Sequence, residues 1–501
     1  MAKPKSTVKY IAISFAWGAI SKLLDAGVKF LTIPLLLSYF GKENYGLLTL
    51  AIATNAYMAL LDMGINIGAV KFFSQWIASG KYDLLHRTAQ TNITFYLGIS
   101  LINSAVLFSL GTWGASVFQV TQDEFQIFRY LLYVLVAFSV INWMTFVFNQ
   151  LLIADEKIAQ TQQIASVKSV LGLVVVGATI MFKWSLIQYF VVYLAVNTSI
   201  ILPYFYLCKR RKLIGSILPA LYLKDFAVVF KYGLAILAMS VFQYTAAQSR
   251  PIILGMFSDE GVGILSEYRV VEVFPIFIIS IGGMLTSIFL PKTSKAIQEN
   301  NRLSIEKMAY EGTRYTSILV SLLCFPVVLS AHELLLLYVG PEYSHLAKWL
   351  SLWVLTLTLY LHNTPVASLI LATGKTRMLV LSSAIACVVS VIINALLTNK
   401  YGVGSAVLGY LAYIIIQVLF YYLYFNNKIL GLKSMKVFES FVIPTSLGFI
   451  LYLGVKNINL QLDSLILQIM INSVVWTAAY IVSLVLLKVV DIQKIRLVLL
   501  K

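Results

Sequence analysis

The chain has 501 residues, of which 59% are hydrophobic and only 12% are charged, and its mean hydropathy is +0.85. Soluble domains average about 25% charged residues, so this composition excludes a soluble globular protein and predicts one embedded in lipid. The formal net charge of +17 does not indicate nucleic-acid binding, because the basic residues lie between long apolar runs. We expect no nucleic-acid partner and interpret the basic loops as determinants of membrane topology.

The cysteine pattern argues against a metal site, and the N-terminal segment argues against a signal peptide. Cys208, Cys324 and Cys387 lie far apart, in or beside apolar stretches. No CxxC pair or Cys/His spacing typical of a metal site occurs, so we predict neither a metal nor a cofactor. The basic N-terminus leads into a long apolar run without a small-residue cleavage site, which predicts a retained first helix and not a signal peptide.

Apolar runs of about 20 residues, the length that a helix needs to cross a bilayer, recur along the whole chain. We therefore predict an all-α polytopic membrane protein with about fourteen transmembrane helices. The predicted spans are 11–39, 46–70, 90–113, 126–153, 164–182, 187–208, 226–255, 262–290, 315–338, 347–372, 378–398, 404–426, 438–456 and 466–488.

The distribution of Lys and Arg predicts how these spans are oriented. With the N-terminus in the cytoplasm, the basic tail (Lys3, Lys5, Lys9) and the central loop 209–224 both fall on the cytoplasmic side. The outside loops then carry their basic residues at Lys42, Lys183, Lys400 and Lys456. This bias follows the positive-inside rule and predicts a multi-pass protein of the cytoplasmic membrane with both termini cytoplasmic.

Two pairs of similar segments indicate an internal repeat. PLLLSYFGKENYGLLTL (34–50) aligns without gaps with PIILGMFSDEGVGILSE (251–267), and LLIADEK (151–157) aligns with LILATGK (369–375) at nearly the same offset. The offset covers six spans, an even number, so the two copies have the same orientation and form a parallel pseudo-two-fold repeat. The predicted parts are an N-terminal six-helix half (1–208), a basic cytoplasmic linker (209–224), a C-terminal six-helix half (225–427) and two additional C-terminal helices (428–501).

Several of these segments resemble a known family. PLLLSYFGKENYGLLTLA (34–51) with LLDMGIN (61–67), and FLPKTSKAIQENN (289–301) with LLLLYVGPEYSHLAKWL (334–350), are similar to the pattern of polysaccharide-exporter or O-antigen flippases. That family belongs to the multidrug/oligosaccharidyl-lipid/polysaccharide (MOP) superfamily. The resemblance implies a non-enzymatic flippase of the inner membrane that serves lipopolysaccharide biosynthesis. Its implied partner is an undecaprenyl-pyrophosphate-linked oligosaccharide, moved between leaflets by alternating access.

The first predicted span carries Lys22, Asp25 and Lys29, which fall at about 0°, 300° and 340° around a helix. Ionisable residues in a span face a cavity or a partner. One interpretation is a cationic cavity face in which Lys22 and Lys29 attract a pyrophosphate. The other is a self-neutralising Lys–Asp–Lys ladder packed between helices. The resemblance adds proton or sodium coupling, with Asp25 as the carrier, because some multidrug relatives use a first-helix carboxylate in this way.

Two more cations lie within predicted spans. Arg250 in span seven suits phosphate oxygens through its bidentate guanidinium, or else forms a salt bridge to Glu267 across the outer turn. Lys168 in span five either lines the cavity or extends toward the cytoplasm. The predicted pyrophosphate-binding residues of the cavity are therefore Lys22, Lys29, Arg250 and Lys168.

The remaining ionisable residues of the spans have simpler interpretations. Arg269 and Glu272, three residues apart on span eight, are predicted to pair with each other. Asp62 in span two lies in the family-like DMG sequence and is predicted to cap or pair locally.

Three functions compete. A multidrug/cation antiporter of the same superfamily is expected to have an acidic cavity for cationic drugs, whereas the deep charges here are mostly basic. A membrane glycan polymerase or ligase is expected to carry a long periplasmic loop with catalytic Arg or His, and no predicted outside loop is long enough. The flippase is therefore the leading hypothesis.

Overall fold

The computed structural model describes residues 7–375, 377–458 and 464–490, and every regular element within them is helical. The first helices are α1 (Thr7–Tyr57), α2 (Met63–Ala78), α3 (Tyr82–Trp113), α4 (Gln122–Ala154), α5 (Ile158–Phe182), α6 (Leu186–Ser199), α7 (Ile201–Arg210), α8 (Leu223–Phe257) and α9 (Ile264–Gln298). The later helices are α10 (Arg302–Leu329), α11 (Ala331–Val339), α12 (Ala347–Leu361), α13 (Thr364–Thr373), α14 (Arg377–Tyr401), α15 (Val403–Phe420), α16 (Ser434–Ile458) and α17 (Leu465–Leu486). Short 3₁₀ segments lie at Met58–Leu61, Gly114–Ser116 and Pro341–Leu346, and a π-helical segment lies at Tyr421–Ile429. The predicted all-α fold class is confirmed.

Many of these helices have the length and apolar character of membrane spans. Among the described residues, ten helices meet both conditions, or eleven if the bent pair Pro341–Leu361 and Thr364–Thr373 is one span. The stretch Ala16–Leu60 has 45 residues, more than twice the length of about 20 that one crossing needs. The chain is therefore a polytopic membrane protein, and the number of fourteen spans stays a prediction.

Gly41 divides α1 into two legs. Its φ of 80° and ψ of 170° lie in a region of backbone conformation that only glycine occupies at low cost, whereas the chain on either side is helical. The kink falls between the predicted spans 11–39 and 46–70. Gly41 therefore supplies the tight turn between the first two crossings.

Two of the helices, α4 and α6, begin with a capping box. At the start of α4, the Thr121 hydroxyl accepts a hydrogen bond from the Glu124 backbone N–H (3.4 Å), and the Glu124 carboxylate accepts one from the Thr121 backbone N–H (2.8 Å). Ser185 and Gln188 make the same exchange at the start of α6. Each pair satisfies two backbone donors that a helix start would otherwise leave without a partner.

The chain forms two compact units. One runs as far as Arg269 and takes in Asn394–Ala406, and the other comprises Val270–Ile393 and the chain from Val407 onward. The core of the first unit includes the fully buried rings of Phe73 and Tyr96. In the second unit, Trp476 stacks between Phe325 and Tyr480, at centroid distances of 5.3 and 4.8 Å. The predicted six-helix halves and their repeat stay predictions.

The predicted linker follows α3 instead of projecting freely. Side chains of α3 approach main-chain carbonyl oxygens of the linker in three pairs: His86 with Lys212 (3.0 Å), Gln90 with Leu218 (3.3 Å) and Thr94 with Ala220 (3.0 Å). These side chains are four residues apart and therefore lie on one face of α3. The segment thus has a defined path along α3 up to the start of α8.

Two glycines that the predicted repeat makes equivalent lie in closely packed parts of the first unit, Gly46 in the second leg of α1 and Gly263 in the turn before α9. A Cβ atom on Gly46 would lie 2.2 Å from the Val262 carbonyl oxygen, and one on Gly263 would lie 3.1 Å from the Lys42 side chain. The start of the second leg of α1 and the start of α9 therefore approach each other at backbone distance.

This packing predicts the effect of adding one methyl group. We expect Gly46→Ala to lower the free energy of unfolding by about 1–3 kcal/mol, because the Val262 carbonyl must move to admit the Cβ atom. The matched control is Gly27→Ala on the same helix, whose Cβ would meet nothing within 4 Å. The midpoint of thermal unfolding in detergent is the measurement, and equal midpoints for the two variants would contradict the close approach.

Candidate functional site

The three predicted charges of α1 lie on one stripe, and two of them form an ion pair. Lys29 Nζ lies 2.8 Å from Asp25 Oδ2, one helical turn away. The Lys29 side chain is 56% exposed and that of Asp25 is 44% exposed, so the pair is open on one side. Lys22 is exposed as well. The ladder interpretation thus holds for Asp25 and Lys29, although these residues are not sealed between helices.

The stripe points away from the apolar surface of α1. The exposed apolar residues Ile13, Ile20 and Leu31 lie at about 160–180° on the helical wheel that places Lys22 at 0°. The charged stripe is centred near 320° on the same wheel, on the opposite side of the helix. Exposed apolar side chains are what a lipid environment favours, so lipid contact is expected on the Leu31 side and not on the Lys29 side.

Helix α5 completes the surroundings of this pair. The Ser169 hydroxyl donates a hydrogen bond to Asp25 Oδ1 at 3.2 Å. The Lys168 ammonium group is partly buried and interacts electrostatically with both Asp25 and Lys29. The structure therefore brings together three of the predicted site residues, Asp25, Lys29 and Lys168, at the contact between α1 and α5.

Two further residues belong to this group. The Tyr193 hydroxyl on α6 lies close enough to interact electrostatically with Lys29, Asp25 and Arg269. We call Asp25, Lys29, Lys168, Tyr193 and Arg269 the charge cluster. Arg269 aside, since its predicted partner is Glu272, the formal charges of the cluster are two cations and one carboxylate, which leaves an excess of positive charge. Tyr193 could not be found from the sequence, because a helical wheel does not show which helices meet.

Arg250 has different surroundings from those of Lys29. Its side chain lies in α8 and is buried, with a residue exposure of 8%. Glu267, its alternative predicted partner, makes an ion pair with Lys42 at 2.6 Å, and the Ser266 hydroxyl donates to the Lys42 carbonyl. The pairing of Arg250 with Glu267 stays a prediction. The position of Arg250 in the same cavity as Lys29 also stays a prediction.

The second unit contains two cavities that sequence reasoning missed. One, of about 330 Å³, is polar and lies among the ends of α10, α11, α12, α16 and α17. Its polar lining is His332, Glu333, Lys348, Ser351, Tyr452, Lys456, Gln468 and Asn472. The other, of about 370 Å³, is an almost wholly apolar groove along α10, α12, α15 and α16, with Phe325, Leu355, Leu411, Phe441 and Phe449 in its lining.

Metal binding finds no support in the described part of the chain. No group of three or more His, Cys, Asp or Glu side chains lies there in an arrangement that could hold a metal ion. The chemistry available to the charge cluster is that of its own side chains, ammonium and guanidinium donors with one carboxylate and one hydroxyl group.

The fold occurs in solved transporter structures. The chain superimposes on "Lipid II flippase MurJ, inward closed conformation" with a TM-score of 0.75 and 12% identity, over 94% of this chain and 98% of that one. It superimposes on an inward-facing multidrug resistance MATE family transporter with a TM-score of 0.65 and 15% identity, over 83% and 99%. A MOP superfamily transporter from Pyrococcus furiosus gives 0.58 and 14%, over 85% and 96%. None of the curated protein sequences matches this chain.

These likenesses define the class of protein: the chain has the fold of the MOP superfamily transporters. The family model "Polysaccharide biosynthesis protein" matches residues 12–288, which is more than half of the chain. The protein belongs to that family, and its fold is the one found in the transporter and flippase structures named above.

The two faces of α1 predict different chemical reactivity. In a variant without its three native cysteines, Lys29→Cys should react with a membrane-impermeant thiol reagent, because the charged stripe faces away from the lipid side. Leu31→Cys is the matched control, since Leu31 is 54% exposed, close to the 56% of the Lys29 side chain, but lies on the apolar face. Reaction should be at least about tenfold faster at position 29, and equal rates would refute the assignment of the two faces.

Proposed function

We propose that this protein is a flippase for an undecaprenyl-pyrophosphate-linked oligosaccharide, an O-antigen or similar polysaccharide repeat unit. In this proposal it exposes one central site alternately to the two sides of the inner membrane. Membership of the polysaccharide biosynthesis family supports this proposal. The solved structure of highest similarity among those above is named a lipid II flippase, which makes lipid-linked glycans the substrate class to test first.

The observation that carries the proposal is the positive excess of the charge cluster on the side of α1 opposite its exposed apolar residues. A pyrophosphate carries several anionic oxygens, and Lys and Arg donors form their strongest hydrogen bonds with such groups. Asp25 offsets part of the charge of Lys29 when no phosphate is present, which lowers the cost of keeping cations within the membrane. A phosphate would then compete with Asp25 for Lys29 and gain Lys168 as a second donor.

The apolar groove of the second unit suits the other end of the substrate. Its lining is almost wholly apolar along four helices, and its volume of about 370 Å³ accommodates several isoprene units of a polyprenyl chain. A flippase for a lipid-linked substrate must accommodate an apolar tail, and this groove is a candidate for that part of the task.

A multidrug/cation antiporter is the second candidate, because MATE transporters share the fold. A binding region for cationic drugs needs an excess of carboxylates, whereas the charge cluster, Arg269 aside, has two cations and one carboxylate. For the Pyrococcus furiosus transporter, "reverse polarity of binding pocket suggests different function", so the polarity of the pocket is a property by which members of this superfamily differ. A membrane glycan polymerase or ligase is disfavoured because family and fold are those of transporters.

Charge at position 29 is the most direct functional test. We expect Lys29→Arg to retain flipping of the lipid-linked oligosaccharide and Lys29→Glu to reduce it at least about tenfold. A hydrogen bond to a charged group contributes about 1.5–3 kcal/mol, and the reversed charge would repel the pyrophosphate. Complementation of a flippase-null strain and flipping in liposomes are the measurements.

The control for this test is Lys81→Glu, which makes the same charge change at an exposed position at the start of α3. Protein amounts in the membrane must be similar for all variants. Full activity of Lys29→Glu would show that the charge at this position is not used and would remove the main support for phosphate binding.

The topology of the proposal has its own test. We expect both termini and residues 209–224 on the cytoplasmic side; the basic residues at 3, 5, 494, 496 and 501 that support this lie outside the described residues. A cysteine placed at exposed Lys212 of a Cys-free variant should stay unlabelled when an impermeant reagent is added to intact cells. It should be labelled in inside-out vesicles, and labelling in intact cells would reverse the predicted orientation.

A further inference from the structure

Asp62 is a buried carboxylate at a break in a membrane helix. The 3₁₀ turn Met58–Leu61 interrupts the helical path after α1, Asp62 follows it, and α2 begins at Met63. Asp62 is only 6% exposed. It does not cap α2 through its side chain, although it does pair locally with Asn66. A buried carboxyl group within a membrane span is costly and is typical of functional sites.

A directional chain of hydrogen bonds ends on this carboxylate. The Asn92 amide donates to Gln150 Oε1 (2.8 Å), and the Gln150 amide donates to the Tyr96 hydroxyl oxygen (2.6 Å). The Tyr96 hydroxyl in turn donates to Asp62 Oδ1, and the Asn66 amide donates to Asp62 Oδ2 (3.2 Å). Each member polarises the next, so the chain stabilises negative charge at its end.

No cation neutralises Asp62 within the described part of the chain. Its contacts are the neutral donors Tyr96 and Asn66, and the titratable groups that face it are Tyr96 from α3 and Tyr244 from α8. Helix α4 contributes the uncharged Gln150. A metal cation would need lone pairs directed at it, whereas both contacts present hydrogen atoms to the carboxylate. The arrangement therefore suits the exchange of a proton and not the binding of a sodium ion.

A polar path leads along α3 toward the carboxylate. Thr88, Asn92 and Tyr96 are spaced four residues apart on one face of α3 and are all fully buried. Thr88 Oγ1 and Asn92 Oδ1 make no hydrogen bond to any described residue, so both retain capacity to bind a proton-carrying group. Thr88 lies less than two turns from the start of α3 at Tyr82, which is the cytoplasmic end of α3 in the predicted topology.

Helix α8 contacts the helical break on either side of Asp62. The Tyr244 hydroxyl donates to the Ala56 carbonyl at 2.8 Å, just before the 3₁₀ turn. On the other side, a Cβ on Gly68 of α2 would lie 2.8 Å from the Val229 carbonyl oxygen, so the two backbones nearly touch. A shift of α8 along α2 must change both contacts and with them the geometry at Asp62.

From this geometry we propose that Asp62 is a proton-binding site whose occupancy is linked to the movement of α8 against the α1–α2 break. The ionised carboxylate accepts the hydrogen bonds of Tyr96 and Asn66. When it takes up one proton from water, it loses its charge and becomes a donor as well as an acceptor, which weakens the hydrogen bonds from Tyr96 and Asn66. The proton returns to water after α8 has moved. The link to transport rests on the proposed flippase function, whereas proton binding itself does not.

Infrared difference spectroscopy of the full-length protein in liposomes tests the site directly. As the pH is lowered, a C=O stretch of a protonated carboxyl group should appear and should shift in deuterated water. We expect Asp62→Asn to remove this band, whereas Asp25→Asn and Asp225→Asn should keep it; Asp225 is the matched control because it pairs with Arg87 outside the polar path. Tyr96→Phe, which keeps the ring and removes one donor, should shift the titration midpoint.

Each outcome decides between alternatives. A band that persists in Asp62→Asn, or a midpoint that Tyr96→Phe leaves in place, would overturn the proposal. A band that responds to the exchange of sodium for choline at fixed pH would show a sodium site and overturn proton specificity. If Asp62 titrates as described but the liposomes flip no lipid-linked oligosaccharide, the proposed function fails and the proton site stands.

Discussion

The cost of an ionisable group in a bilayer is the constraint on which the arrangement of the first unit depends. Each such group needs a partner, a set of hydrogen-bond donors or access to water. The structure uses these solutions at different places. Asp25 and Lys29 pair with each other on an open face, Lys42 and Glu267 pair between two helix starts, and Asp62 is held by neutral donors. Because the charges at these sites are stabilised in different ways, we expect the sites to have different roles.

The predictions that rested on periodicity agree with the structure. Apolar runs predicted the all-α polytopic class, and the stripe of Lys22, Asp25 and Lys29 lies opposite the exposed apolar residues of the same helix. Both follow from local geometry, since a helix fixes the angular position of each side chain. The family followed from spaced glycines and prolines, and the match over residues 12–288 agrees with it.

Contacts between helices could not be predicted in the same way. Ser169 and Tyr193 lie more than a hundred residues from Asp25, and no pattern in a single sequence says that α5 and α6 carry its neighbours. Asp62 is the clearest case. Its local pairing with Asn66 was predictable from their spacing, whereas the bond from Tyr96 on α3 depends on how the helices pack. The cavities of the second unit escaped prediction for the same reason, because each is lined by four or more helices.

The two acidic sites of the first unit suit different tasks. Asp25 is open, lies near Lys29 of its own helix and Lys168 of α5, and already forms an ion pair, so an incoming anion acts on it by competing for Lys29. Asp62 is closed, has no cation among its described contacts and lies beside α8, which contacts the chain before and after the break. Competition at an open ion pair makes a site responsive to substrate, whereas protonation of a closed carboxylate makes it responsive to pH. A flippase that couples substrate binding at Asp25 to protonation of Asp62 needs these two residues on helices that contact the same moving helix. Helix α8 meets this requirement, because it packs on α1 and on α2.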